Sequence, residues 1–326
     1  MMASHSTKPQ DMVEQIYPQS WLQIWQWNGM DVSLIQTNPQ SSETDEKRGS
    51  TVVLIHGFGA NKEHWRHNVE SLANERQVVG IDLIGFGSSE KPRSRLKTES
   101  HDNGWVYSID NWSQQVVDLI QAKIKGSVQL IGNSIGGVVA LNAARILEEK
   151  GEAARQVILI DCAQRALDDK RLSEQPLLRR LGRPALKALV QQRWLTRTLF
   201  QTIARPGLIR KVLEQAYPSK NNVDTQLIHL LLQPALQANA DEAFRGFINL
   251  FEDRLATDLL EQLKTPVAML CGDLDPWEPV EEAMRWTKYS SVKSIQVLNS
   301  VGHCPHDEAP EMVNPLLLDL LREGDL

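Results

Sequence analysis

The run Gln129-Leu130-Ile131-Gly132-Asn133-Ser134-Ile135-Gly136-Gly137-Val138-Val139-Ala140 constrains this chain more than any other stretch. An apolar, strand-like segment enters Gly-x-Ser-x-Gly, and a small-residue helical segment leaves it. That order predicts a sharp strand-to-helix turn with Ser134 at its apex. The glycines two residues before and after the serine make room for the backbone crossing. The serine hydroxyl then stands above the end of a sheet, with a helix N-terminus beneath it.

A serine is a weak nucleophile at neutral pH, so it needs a neighbouring base and a third group to orient that base. Both residue types follow downstream. The apolar strand Pro266-Val267-Ala268-Met269-Leu270-Cys271 leads into Gly272-Asp273-Leu274-Asp275-Pro276-Trp277-Glu278-Pro279. A carboxylate there lies at the C-terminal end of a strand, where open α/β sheets bind ligands. Asp275 is the candidate acid, with Asp273 as its rival and Asp161, at the end of the preceding strand, as a further alternative. The next strand, Ser294 to Leu298, is followed by Ser300-Val301-Gly302-His303-Cys304-Pro305, which supplies His303 as the base. Upstream, Thr51 to Ile55 reads as a buried strand ending in His56-Gly57-Phe58-Gly59-Ala60. The backbone amides of Phe58 and Ile135 are the expected oxyanion donors, each typically contributing about 3 kcal/mol.

The remaining pattern is α/β. Trp21 to Trp27 and Asp31 to Gln36 flank Asn28-Gly29, a strong hairpin signal. Val78 to Asp82 reads as a parallel strand with its turn, Ile109 to Lys125 as an amphipathic helix, and Gln156 to Asp161 as another strand. Then the strand pattern stops. Helical spacings take over at Leu195, Leu199 and Ile203, at Leu208, Ile209, Val212 and Leu213, and at Phe244, Phe247, Ile248 and Phe251. Strands resume after Thr265. The expected organisation is a flexible segment over 1–20, a core over 21–162 and 255–326, and a helical cap over 163–254. Trp277, Phe244, Phe247 and Phe251 are the candidate substrate-pocket residues, and most of the cap's leucines are read as packing.

Charge is uneven. Between Gln164 and Lys220 there are 13 Lys/Arg against 4 Asp/Glu, while the whole 326-residue chain carries −6. A solvated polar face explains this as readily as attraction to an anionic membrane, an acidic carrier protein or a carboxylate-bearing substrate. No recognition motif points to nucleic acid. Residues 1–20 contain no apolar stretch of signal-peptide length, and no run approaches the ~20 apolar residues of a membrane span. Three scattered cysteines do not make a disulfide framework. The expectation is a soluble, cytoplasmic chain without cofactor or metal. His64, His67 and His306 are read as surface or capping residues rather than ligands, for want of a recognised spacing. Ser41 to Ser50 is read as a polar, charged loop.

The His56-Gly57-Phe58-Gly59 loop, the Gly132 to Gly137 run and the Asp275 and His303 segments resemble the α/β-hydrolase superfamily, over about residues 52–320. The resemblance implies a mostly parallel, eight-stranded sheet flanked by helices, with a helical cap after the sixth core strand, and no cofactor. It also implies that the acid stands four residues before the loop proline, here Pro279, which selects Asp275. His56 is then a brace for the oxyanion loop. Asp275-Pro276-Trp277-Glu278-Pro279, Gly302-His303-Cys304-Pro305 and Pro310 to Pro315 are similar to plant and cyanobacterial hydrolases grouped with pheophytinase and chlorophyll dephytylase. That likeness implies hydrolysis of a phytyl ester on a chlorophyll-type pigment, or of another lipophilic ester. The alternatives are a carrier-bound acyl (methyl) ester or thioester esterase, a carbon–carbon bond hydrolase of ring-cleavage products, and a non-catalytic ligand receptor that keeps the triad.

Overall fold

The computed structural model describes residues 15–37, 49–99 and 103–326. Residues 1–14 and most of the Ser41 to Ser50 segment lie outside them. Eight strands form one sheet: β1 Leu22–Trp27, β2 Met30–Gln36, β3 Thr51–Ile55, β4 Val78–Ile81, β5 Val128–Asn133, β6 Gln156–Ile160, β7 Val267–Gly272 and β8 Val292–Leu298. Their order is β1-β2-β4-β3-β5-β6-β7-β8. β2 is antiparallel to both its neighbours, and every pair from β4 to β8 is parallel. The hairpin turn falls at Asn28 and Gly29, both with positive φ, as the two-residue turn geometry requires.

The helices are α1 Val69–Ala73, α2 Ile109–Lys123, α3 Ile135–Glu149, α4 Leu177–Gln191, α5 Arg193–Ile203, α6 Pro206–Ala216, α7 Thr225–Ala235, α8 Ala240–Ile248, α9 Ala256–Gln262, α10 Val280–Met284, α11 Pro305–Glu308 and α12 Pro310–Asp325. β3, β5, β6 and β7 are buried along their whole length, because helices cover both faces; this is why they read as unbroken apolar runs. One face packs on α2, α3 and α9 through Trp112, Val116, Val138, Leu141 and Leu259. The other packs on α1 and α12 through Val69, Leu72, Val313, Leu317 and Leu321. Six helices, α4 to α9, lie between β6 and β7, and of these α9 packs on the sheet. α6 and α7 share a small core around Leu213, Tyr217, Leu227 and Leu230, which Cys304 joins from the histidine loop.

Two expectations need correction. The segment before residue 21 is fixed at Tyr17, whose ring is buried and whose hydroxyl donates to the Lys62 carbonyl at 3.2 Å. The helical spacing of α5 is real, but Leu199 is exposed and Thr196 is buried. Its hydroxyl can be buried because it is satisfied by the carbonyls of Gln192 and Arg193.

Chain connections leave β3 toward β4 on one side, while β5 lies on the other. The crevice between the C-terminal ends of β3 and β5 is therefore a topological switch point, the usual ligand position in such sheets. Ile55 pairs with Gly132 at that end, which sets the His56-Gly57-Phe58 loop beside Ser134.

Candidate active site

Ser134 has φ 54° and ψ −124°, between β5 and α3. A side chain in the positive-φ region is strained, and its neighbours hold it there. The Ser134 amide donates to Ile160 at 3.0 Å, and its carbonyl accepts from Gly137 at 3.0 Å and Ala163 at 3.1 Å. A Cβ on Gly132 would lie 2.3 Å from the Gly136 carbonyl oxygen, and one on Gly136 would lie 2.4 Å from that of Ile55. Both contacts are with backbone, so only glycine fits at either position.

His303 and Asp275 come from separate loops, after β8 and β7, and meet in a 2.7 Å hydrogen bond from Nδ1 to Oδ2. Because the carboxylate accepts, Nδ1 carries the proton and Nε2 keeps its lone pair. The other Asp275 oxygen accepts the amides of Trp277 at 2.8 Å and Glu278 at 3.1 Å. The His303 backbone is held from two sides: its amide donates to Ala216 at the end of α6, and its carbonyl accepts from Asn133 Nδ2 at 3.1 Å. Asn133 thus ties the residue before Ser134 to the histidine loop; nothing in its spacing marks it in the sequence. The Trp277 ring meets the imidazole edge-on at 4.9 Å.

Neither rival carboxylate is bonded to His303. Exposed Asp273 accepts the Ser300 amide at 2.6 Å. Asp161 is buried and accepts the Gly272 amide at 2.9 Å. Burial first, and the nearby Asp275 charge second, push the Asp161 carboxyl well above the ordinary carboxylate range.

The His56 to Ala60 loop is braced from below. His56 donates through Nδ1 to the Gly57 carbonyl at 2.7 Å and accepts the Leu83 amide on Nε2 at 3.1 Å. A ring that accepts on Nε2 and donates through Nδ1 is neutral, and burial lowers its pKa in the same sense. Lys62 and Asp82 then lock the loop to the turn after β4. Asp82 accepts the Lys62 amide at 2.7 Å and its Nζ at 3.0 Å, both groups being almost fully buried. A Cβ built on Gly57 would lie 3.1 Å from Ser134 Cβ, so this loop passes directly beside the serine. The amides of Phe58 and Ile135 have no hydrogen-bond partner among the described residues.

Ser134 and His303 open on a cavity of ≈ 510 Å³. Its walls include Phe58, Phe200, Ile203, Ile209, Val212, Leu213, Leu231, Phe244, Phe247 and Trp277, with Glu278, His64 and Asn133 as polar members beside Ser134 and His303. Phe58 stacks on Phe247 with ring centroids 3.8 Å apart. Of the expected pocket residues, Phe244, Phe247 and Trp277 line the cavity. Phe251 does not: its ring lies beneath Arg183, 4.4 Å from the guanidinium carbon, and beneath Lys187. It falls after the end of α8, where the helical spacing no longer carries it to the same face.

The histidines differ from expectation too. His64 and His306 are buried, not surface residues. His64 Nε2 bonds the Tyr217 hydroxyl at 2.7 Å, which donates on to Asp307 at 2.9 Å. Burial lowers the His64 pKa to about 4, so the ring at the cavity wall is neutral. Glu278, which no spacing in the sequence marks, also lines the cavity. Burial raises its pKa to about 8, with the Gln164 amide on one oxygen and the Asp275 charge opposing ionisation. All three cysteines are free and buried; burial pushes the Cys304 thiol well up, which keeps it inert beside His303.

Comparison with known proteins agrees with this architecture. Residues 52–316 match the model of the alpha/beta hydrolase family. The chain is 23% identical over 273 residues to the uncharacterized hydrolase YugF of Bacillus subtilis, covering 83% of this chain and 90% of that protein. It is 25% identical over 312 residues to the chloroplastic pheophytinase of Arabidopsis thaliana, covering 87% of this chain and 63% of that protein. Among solved structures, a thermophilic esterase from Thermogutta terrifontis superposes with a TM-score of 0.65 at 22% identity, over 91% of this chain and 95% of that one. With the family model spanning most of its length, the chain belongs to the alpha/beta hydrolase family.

Proposed function

We propose that the protein is a serine esterase for lipophilic carboxylic esters. The observation that carries this reading is that Ser134 and the Asp275-bonded His303 open on one shared cavity with an almost entirely apolar wall. Its ≈ 510 Å³ falls within the roughly 300–1,000 Å³ typical of small-molecule sites.

In this reading Ser134 Oγ attacks the ester carbonyl carbon as its proton passes to His303 Nε2. Charge that develops on the carbonyl oxygen is met by the amides of Phe58 and Ile135. Collapse breaks the bond to the alcohol, which leaves with the proton from His303, and the acyl group stays on Ser134. Water then gives a proton to His303 and attacks the acyl carbon, releasing the acid and restoring the serine. Asp275 keeps Nδ1 protonated and stabilises the imidazolium in both halves. α5 to α8 act as a cap that supplies most of the greasy wall.

Among lipophilic esters, the phytyl ester of a chlorophyll-type pigment is the specific candidate, supported by the likeness to pheophytinase. Purified protein is offered p-nitrophenyl esters of increasing acyl length, and pheophytin a or chlorophyll a in detergent. Hydrolysis that improves from acetyl to longer acyl chains supports the lipophilic reading, and released phytol supports the pigment ester. Robust cleavage of short esters with no phytol refutes the pigment ester alone. No cleavage of any ester by folded protein refutes the esterase reading.

A further inference from the structure

α4 is amphipathic, but it is mounted inside out. Its basic side faces the protein: Arg183 bonds Asp169 at 2.9 Å and lies over Phe251, and Lys187 pairs with the same aspartate. The last turn is fastened by Asn249, which donates to the Val190 carbonyl at 2.8 Å. The opposite side carries Leu177, Leu178, Leu181, Ala185 and Leu189, which fall on one stripe at helical spacing, and every one is exposed. Leu178 is 83% and Leu181 71% exposed, and no residue of α4 is buried. A contiguous apolar stripe in water is unfavourable and marks an interaction surface.

The charges around the stripe identify what meets it. Arg179 and Arg180 stand among the leucines, and Arg205, Arg210 and Lys211, at the start of and along α6, are further exposed basic residues of the same insertion. None of these five forms an ion pair with a described residue. Trp194, at the start of α5 and 68% exposed, adds an amphipathic aromatic ring, a side chain suited to a lipid–water boundary. Exposed leucines along one helix stripe, unpaired arginines beside them and an exposed tryptophan on the next helix are the chemistry of a surface that lies in the interface of a bilayer. We propose that α4 docks this protein on an anionic lipid surface, with its leucines sunk among the acyl chains and Arg179 and Arg180 at the headgroups. α4 leans on α5, whose Phe200 and Ile203 line the cavity, so docking sets the cavity beside the membrane. The proposal rests on the surface of the α4 to α6 helices and stands whether or not Ser134 is the nucleophile.

The test is sedimentation of the full-length protein with sucrose-loaded vesicles of phosphatidylcholine, with and without phosphatidylglycerol, alongside analytical ultracentrifugation without lipid. The wild type is expected to be monomeric and to bind the anionic vesicles at least tenfold better than the neutral ones. Leu178→Glu/Leu181→Glu is expected to lose at least tenfold in partitioning. Each of Arg179→Ser and Arg180→Ser is expected to lose about fivefold, the equivalent of ~1 kcal/mol per basic residue at an anionic surface. Circular dichroism and hydrolysis of a soluble ester, both unchanged in the variants, show that the fold is intact. Binding that survives the leucine change but not the arginine changes indicates general attraction to an acidic surface, such as a protein's, and overturns lipid insertion. A lipid-free dimer that the leucine change dissociates assigns the stripe to a second copy and overturns the proposal, as does no vesicle binding at all.

Discussion

Glu278 gives the most quantitative handle on the cavity. Its carboxyl moves from an ordinary 4.5 to about 8, with burial as the leading cause. A raised folded-state pKa means the stability linked to this group is fully present below about pH 4.5. It is lost as the pH climbs through about 8, because the unfolded chain then ionises freely while the folded one resists. At ~1.4 kcal/mol per unit the ceiling on that loss is about 5 kcal/mol. The group lines a cavity rather than solid core, so water access reduces the expected loss to about 1–3 kcal/mol. Glu278→Gln keeps an oxygen for the Gln164 amide, which lies 2.8 Å from Glu278 Oε2, and removes the titration. Thermal unfolding of wild type and variant at pH 5 and pH 8.5 reads the difference. The variant is expected to match the wild type within about 1 °C at pH 5 and to gain roughly 2–8 °C at pH 8.5. An equal shift at both pH values, or a less stable variant at pH 8.5, would refute the reasoning.

Asp275→Asn is expected to lower kcat on the order of 10⁴-fold with KM little changed, since the amide no longer fixes the Nδ1–H tautomer; steady-state kinetics on p-nitrophenyl butyrate checks it, and a loss under tenfold contradicts it. Lys62→Met strands the buried Asp82 carboxylate and is expected to cost about 3–5 kcal/mol in urea unfolding, whereas a loss under about 1 kcal/mol means the pair does not lock the loop. One substitution made at two glycines has opposite expected signs. Gly136→Ala drives a Cβ to 2.4 Å from the Ile55 carbonyl oxygen and removes folded, active protein. Gly182→Ala, in α4 with nothing within 4 Å, stabilises by about 0.5–1 kcal/mol; comparing their yields and melting temperatures separates steric exclusion from helix propensity.

Features that depend on local chemistry were legible in the sequence. The Gly132–Ser134–Gly136 turn, the Asn28-Gly29 hairpin and the buried parallel strands each follow from short-range backbone and burial rules. So did the loops carrying Asp275 and His303, which lie at strand ends. What stayed hidden depends on which side of an element meets what. The spacing of Leu195, Leu199 and Ile203 announced a helix but not that Leu199 faces out. α4 presents its leucines to solvent and its Arg183 and Lys187 to the protein, the reverse of the rule that periodicity is normally read by. His64, Glu278 and Asn133 became site residues only through long-range contacts, with Tyr217, Gln164 and His303 respectively. A single sequence carries no signal for those pairings.

The central claim, that Ser134 is a nucleophile driven by His303 and Asp275, is tested most directly by a fluorophosphonate. Wild-type protein is treated with the reagent, digested and analysed by mass spectrometry, and residual hydrolysis of p-nitrophenyl butyrate is measured in parallel. The expected result is a single adduct on the peptide carrying Ser134, loss of turnover in step with labelling, and neither label nor turnover in a folded Ser134→Ala variant. An adduct on another residue, or a Ser134→Ala variant that hydrolyses the ester near the wild-type rate, contradicts it.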